Sequence, residues 1–441
     1  GAYADPALQA YVNGVGQKLA RLSHRSQLPW TFTVLDSPEV NAFALPGGYV
    51  YITRGLMAYL DSEAELAGVI GHEIGHVTAR HGAQRATRQQ DAGLGVLAAT
   101  VLGAVLEGQG VRGATDLASQ VSQTAAAGFI ASYSRDQELQ ADQLGAEYLA
   151  RTQYDPRNMV DVIALLKNQE RFAAELARAE GRQPPSGPSW LASHPSNDQR
   201  LAHILSVADV YKGQYTDDGR TRYLNAINGM RFGDSPAQGM VRGQAFLHPE
   251  LGVALTAPAG WKVINGSDTV TLVNAAGDAG LVMQLAPAQA GSDHSAVIRQ
   301  MLQPVSGQTS TRTLNGLKAT HFNGVVRTAQ GAQSAARATV VSGPGGRTYL
   351  LRYVARNAQA LQGALAQVQA AEGSFRAMTA ADRRAAQPWS VRTVAFPKGG
   401  FAELARQSPL SPQAEAHLRL INSLYGANRQ PAVGQVVKTV R

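Results

Sequence analysis

The chain is 441 residues long with 44% hydrophobic content, which allows a large buried core and two or three domains. It contains no cysteine, so disulfides, thiolate metal ligands and cysteine nucleophiles are excluded. The formal net charge is +8, but Lys and Arg are scattered without a basic run. That charge reads as a solubility feature with no nucleic-acid partner, and attraction to an anionic envelope surface is the lesser alternative.

The sequence starts at Gly1 without a methionine or a signal-peptide pattern, so a processed or truncated N-terminus is expected, and a removed signal would fit an envelope location. Over residues 5–24, Leu8, Tyr11, Val12, Val15, Leu19 and Leu22 recur on one helical face. Trp30 to Leu35 alternates as a strand, and Val40 to Ala44 and Gly48 to Thr53 predict two more around the turn Leu45-Pro46-Gly47. The edge strand of such a sheet can hold an extended substrate by main-chain hydrogen bonds. Ser62-Glu63-Ala64-Glu65 then reads as a capping box opening a helix through Leu66, Val69 and Ile70, with Gly82 as its stop.

That helix carries His72-Glu73-Ile74-Gly75-His76. Residues four apart share a helix face, so both imidazoles can reach one metal, while Glu73 is turned by about 100° and can address a metal-bound water. Gly71 and Gly75 weaken a helix by up to about 1 kcal/mol each, which points to close backbone packing beside the metal. A catalytic zinc needs a third protein ligand. His81 is one candidate, against a structural helix-end histidine, because its spacing departs from the metzincin pattern.

Farther along, the apolar stretch Leu94 to Leu106 is shorter than the ~20 residues a membrane span requires. It reads as a buried helix, with peripheral membrane contact as the alternative. A helical block from Asp116 to Arg151 ends at Tyr154-Asp155-Pro156 and contains Glu138 and Asp142 on one face. Glu138 can complete a His, His, Glu metal site, and Asp142 can accept the hydrogen bond that a ligating imidazole donates through its other nitrogen. A helix over 156–179, the loop 182–188 and a capped helix from Ser193-His194-Pro195 to Ala208 follow.

Four ordered blocks carry a family resemblance: Asn41-Ala42-Phe43-Ala44-Leu45-Pro46-Gly47-Gly48, Gly71 to His76, Ser134-Arg135-Asp136-Gln137-Glu138 with Ala141-Asp142, and Ser193-His194-Pro195. On these blocks, residues 1–210 resemble the zinc metallopeptidase family that contains HtpX, the CAAX prenyl proteases and BepA. The resemblance implies a mainly helical zincin-type domain with a small sheet, one zinc ion per chain held by His72, His76 and Glu138, and Glu73 as general base and acid. Asn41 and Gly48 would edge the substrate cleft. His194 would be a catalytic residue stabilising the oxyanion, or would fill the fourth zinc position in a closed, latent state. Unlike HtpX and the CAAX proteases, the sequence shows no membrane-spanning helix, and unlike BepA it shows no helical repeat array. The expected protein is therefore a periplasmic or envelope-associated endopeptidase acting on misfolded or misassembled polypeptides.

After about residue 235 the pattern changes to strands near 253–257, 261–264, 269–273, 281–285, 338–341 and 349–354, with helices near 293–303 and 357–372. The run from Phe246 to Trp261 is similar to the opening of PsbP-like α/β domains. The order of segments from Arg392 to Lys438 resembles a βααβ LysM module, which implies peptidoglycan binding, or a LysM-like unit used for internal packing. The expected fold class is α+β, with a metallopeptidase domain over 1–234, an accessory domain over 235–385 and the LysM-like module over 386–441. Outer-membrane assembly components are the other expected partners. A latent zinc-bound chaperone and a peptidoglycan-associated hydrolase are the rival functions.

Overall fold

The computed structural model describes residues 1–84, 133–181, 189–196, 198–266 and 268–441. The stretch Leu94 to Leu106, with its proposed membrane contact, lies outside the described residues, as does the start of the helical block expected from Asp116.

Asp5 opens α1 (Pro6–Ala20) by accepting the Leu8 N–H at 3.0 Å, and Pro6 fills a first-turn position whose missing N–H costs nothing. Leu8, Val12, Val15 and Leu19 are buried as their spacing predicts, whereas Leu22 is exposed because the helix has already ended. The strands β1 (Thr31–Leu35), β2 (Ala42–Leu45) and β3 (Tyr49–Thr53) form a sheet in the order β1-β3-β2. β1 runs parallel to β3 and β2 antiparallel to it, and in this order β2 is an edge strand among the described residues. The single turn α2 (Arg54–Met57) leads to α3 (Glu63–Thr78), the motif helix, which is buried from Glu63 to Val77.

Ser62 caps α3 through the Glu65 N–H at 3.1 Å, but the reciprocal half of the expected capping box is missing. The Glu65 carboxylate instead accepts the Asp61 N–H at 2.7 Å. The helix also stops before Gly82, at Thr78, and Arg80 follows two residues on with a left-handed φ of 60°. Packed on α3 is α4 (Arg135–Arg151), which does begin with a capping box, between Ser134 and Gln137. The two helices meet backbone to backbone. A Cβ added at Gly75 would lie 2.9 Å from the Ala141 carbonyl oxygen, and one at Gly145 3.1 Å from the His72 nitrogen. The helices α5 (Asn158–Ala179), α6 (Trp190–Ser193), α7 (Asp198–Val210) and α8 (Arg220–Ile227) complete this region.

Beyond the short β4 (Arg231–Phe232), the strands β5 (Met240–Arg242), β6 (Ala245–His248) and β7 (Val253–Thr256) belong to a small antiparallel sheet. The next seven strands form one antiparallel sheet: β8 (Lys262–Asn265), β9 (Thr269–Val273), β10 (Ala279–Leu285), β11 (Pro304–Leu314), β12 (Leu317–Arg327), β13 (Gln333–Ser342) and β14 (Thr348–Ala355). Sequence patterning missed the β11–β12 hairpin. β11 is exposed along most of its length, so it lacks the alternating apolar face on which strand recognition depends. The helix α9 (His294–Leu302) packs on β12 and β13, and α10 (Ala358–Gly373) on β10 and β14.

The last segment runs β16 (Trp389–Ala395), α12 (Gly400–Arg406), α13 (Ala414–Ile421), β17 (Val436–Val440), after the short β15 (Arg376–Ala377) and α11 (Ala380–Ala385). Its apolar side chains, among them Phe401, Leu418, Ile421 and Val440, join the same buried cluster as Leu56, Leu60 and Ile70 beside the motif helix. Residues 246–375 have a cluster of their own. Lys438 ties the last strand to the approach to α3: it is fully buried, donates to the carbonyls of Ala58 at 2.9 Å and Leu60 at 2.6 Å, and pairs with Asp61 at 3.0 Å. Removing one partner of a buried ion pair strands the other, at a cost of about 3–5 kcal/mol. Lys438→Ala should therefore lower the thermal unfolding midpoint of the region containing residues 1–234, and an unchanged midpoint in a melting experiment would contradict this anchoring role.

Candidate active site and metal centre

Four side chains converge at the α3–α4 contact: His72, His76, Glu138 and His194, all buried, each offering one ligand atom, and these atoms lie within 4.8 Å of one another. His72 Nε2 and His76 Nε2 are 2.9 Å apart, and His194 Nδ1 stands 3.1 Å from the first and 3.3 Å from the second. Glu138 places its oxygens 3.3 Å from His72 Nε2, 3.2 Å from His76 Nε2 and 2.9 Å from His194 Nδ1. His72 and His76 meet there because they are one helical turn apart on α3, and Glu138 because α4 crosses at the glycines. α6 and the chain after it deliver His194: the Trp190 N–H donates to the Val40 carbonyl at 2.9 Å, pinning α6 against the strand region.

The outward nitrogens are held as the chemistry requires. His72 Nδ1 lies 2.8 Å from Asp142, and His76 Nδ1 lies 2.8 Å from His81 Nδ1, whose Nε2 is 2.8 Å from the Gln140 amide oxygen. The proton placement that satisfies these bonds puts N–H on both Nδ1 atoms and leaves both Nε2 lone pairs facing the cluster. His81, considered as a ligand from spacing alone, thus stands behind His76. Tyr133 stacks on the His76 ring at 3.6 Å. Glu73 lies outside the ligand group. Its Oε1 accepts the Trp190 indole N–H at 2.9 Å and sits 3.2 Å from His194 Nε2, while its Oε2 is buried and, among the described residues, without a hydrogen-bond partner.

Arg200, from the first turn of α7, donates to both oxygens of Asp142 at 2.6 and 2.9 Å, pairs with Glu138 at 3.1 Å and donates to the His194 carbonyl at 2.8 Å. Sequence reasoning missed it, since its partners lie far away in the chain and an arginine on a helix gives no local signal. It missed Trp190 for the same reason. Asn41 is buried and engaged with backbone, accepting the Ala42 N–H at 2.9 Å, and Gly48 lies under Trp30 with a φ of 97°.

The charges do not balance without a cation. Three buried carboxylates, Glu73, Glu138 and Asp142, face one guanidinium, Arg200, which leaves two negative charges. In the metal-free protein, protons on imidazoles must supply the difference. Burial opposes a charge on His72, but the Glu138 charge and the bonds to Asp142 and Glu138 override it and raise its pKa to about 9. His194 is raised in the same way, with burial outweighed by Glu138 and Glu73. His76 goes down to about 3, mainly through burial. Burial would raise the Glu73 carboxyl, yet His194 holds it below its ordinary value.

One divalent cation neutralises the excess without those protons. Tetrahedral zinc with bonds of about 2.0–2.1 Å keeps its ligand atoms roughly 3.3 Å apart, close to the separations seen among these nitrogens and oxygens. The residues therefore fit a single zinc ion.

A buried HExxH helix with a carboxylate from a second helix defines the zinc metallopeptidase class. Residues 6–208 match the model of Peptidase family M48, so this part of the chain is similar to that family. The beta-barrel assembly-enhancing protease of Yersinia pestis is 31% identical over 212 residues, 47% of this chain and 40% of that protein. Its counterpart from Escherichia coli (strain K12) is 30% identical over 224 residues, 50% of this chain and 43% of that protein. The mitochondrial metalloendopeptidase OMA1 of Bos taurus is 31% identical over 182 residues, 41% of this chain and 32% of that protein. The chain thus spans less than half the length of these relatives. The solution structure of cyanobacterial PsbP from Synechocystis aligns with 32% of this chain at 13% identity and a TM-score of 0.24.

Removing a carboxylate that orients a ligating imidazole typically weakens metal binding 10–100-fold. Asp142→Asn should do so here, read by zinc titration against a competing chelator, and wild-type affinity in that variant would contradict the role given to the His72–Asp142 bond.

Proposed function

We propose that the chain is a zinc-dependent endopeptidase of the bacterial cell envelope that hydrolyses peptide bonds of misfolded or misassembled proteins. The observation that carries this reading is the Oε2 of Glu73, without a hydrogen-bond partner among the described residues, beside the convergent His72, His76 and Glu138. Zinc bound there would lower the pKa of its water toward 7 and polarise the peptide carbonyl. Glu73 takes the proton of the attacking water on Oε2 and returns it to the leaving amine, while the Trp190 indole holds Oε1 in place. The block Asn41 to Gly48 edges the cleft, with β2 as the strand on which an extended substrate lies.

His194 supports a closed reading of the site: its Nδ1 stands 3.1 and 3.3 Å from His72 and His76 Nε2, where it would fill the position left open on a bound zinc, and its Nε2 lies 3.2 Å from Glu73 Oε1, leaving Oε2 unengaged. We read this as a latent state, which Arg200 holds by gripping the His194 carbonyl.

The name of the bacterial relatives, beta-barrel assembly-enhancing protease, supports substrates and partners from outer-membrane assembly. Among the described residues no helix is long and apolar enough to cross a membrane, in keeping with a periplasmic or envelope-associated enzyme. The C-terminal segment spends its apolar side on the core beside the motif helix, which supports internal packing over peptidoglycan capture for residues 386–441.

Glu73→Gln should retain one zinc per chain by metal analysis and lose cleavage of denatured casein, because only the proton carrier is removed. Casein cleaved by this variant at the wild-type rate would sink the assignment. His194→Ala should cleave casein faster than wild type as the latent contact is lost. A slower variant would instead favour oxyanion stabilisation by His194.

A further inference from the structure

A cavity of about 230 Å³ adjoins the metal centre on the side of the β2–β3 turn. Leu45, Pro46 and Val77 give it apolar walls, and His76 forms part of its lining, so a side chain seated in it lies next to the bond presented to the metal centre. Two arginines, Arg25 and Arg80, are also among its lining residues. Arg25 is half-buried and donates to the Val77 carbonyl over a long 3.4 Å. Arg80 is exposed, and its left-handed φ of 60° sets it at the end of the motif helix. Among the described residues neither arginine has a carboxylate partner.

The contrast with the metal centre is informative. There the buried guanidinium of Arg200 is matched by two carboxylates; here two arginines line a cavity to which no acidic side chain among the described residues contributes. Like charges placed together at a concave, partly apolar surface raise the local potential and favour an anionic group between them. A strand lying along β2 sends successive side chains to opposite faces, so one residue near the cleaved bond can enter the cavity while its neighbours point away.

We propose that this cavity is a specificity subsite that accepts an acidic side chain, glutamate or aspartate, of the polypeptide substrate. The methylene stem rests on Leu45, Pro46 and Val77, and the carboxylate meets Arg25 and Arg80. The inference rests on the peptidase reading and adds a substrate preference to it.

The test uses the full zinc-loaded chain and quenched fluorescent peptides that differ only by Glu, Gln, Leu or Lys at each of three positions on either side of a mapped cleavage site. At one position the wild type should prefer Glu over Gln by about tenfold in kcat/KM, the scale of one charge-assisted hydrogen bond. Arg25→Gln should shrink that ratio toward one, and Arg80→Glu should turn the preference at the same position toward Lys. Peptides cut by the wild type with equal kcat/KM for Glu and Gln at every position would overturn the subsite and leave the peptidase reading standing. A full Glu preference retained in Arg80→Glu and in Arg25→Gln would also overturn it. Failure of the wild type to cut any peptide or denatured casein would overturn both readings.

Discussion

The contact between α3 and α4 is the constraint on which the rest of the site depends. Two helices ordinarily pack 8–10 Å apart because side chains keep their backbones separate. Here Gly71 and Gly75 face Ala141 and Gly145, and the backbones touch. The closeness has a cost, since a glycine inside a helix gives up about 1 kcal/mol relative to alanine. In return Glu138 and Asp142, at positions four apart on α4, reach His72 and His76, at positions four apart on α3. A methyl group at Gly75 would collide with the Ala141 carbonyl and push apart the two faces that share the metal.

Once those faces meet, electrostatics dictates what surrounds them. Buried carboxylates are tolerated only when paired or bound to a cation. Arg200 is drawn into the interior by Asp142 and Glu138, and through its bond to the His194 carbonyl it links the α7 segment to the ligand group. One guanidinium thus joins Asp142 and Glu138 to the segment that carries His194. The C-terminal segment contributes at the other end of α3, where Lys438 fixes the carbonyls of Ala58 and Leu60 just before the helix begins.

What could be read in the sequence follows from where the signals lie. The spacing of His72, Glu73 and His76 is local and periodic, and so is that of Glu138 and Asp142, so the metal group was legible from helix geometry. The roles of Trp190, His81 and Arg200 were not, because each acts through a contact made only in the folded chain. The capping box at Ser62 failed in half, because Asp61 offered Glu65 a nearer N–H. The β11–β12 hairpin escaped notice because Ser, Thr and Gly on an exposed edge carry no apolar alternation. The C-terminal segment showed its β, α, α, β order in sequence, but that its apolar side completes the core beside the motif helix is a tertiary fact.

The central claim is that this buried group binds one zinc ion through two histidines of α3 and one glutamate of α4. The direct measurement is an anomalous difference map at the zinc edge from crystals of the metal-loaded protein. One strong peak is expected, within about 2.0–2.2 Å of His72 Nε2, His76 Nε2 and a Glu138 oxygen. A map with no peak at that position, or with zinc bound only elsewhere on the chain, would contradict it.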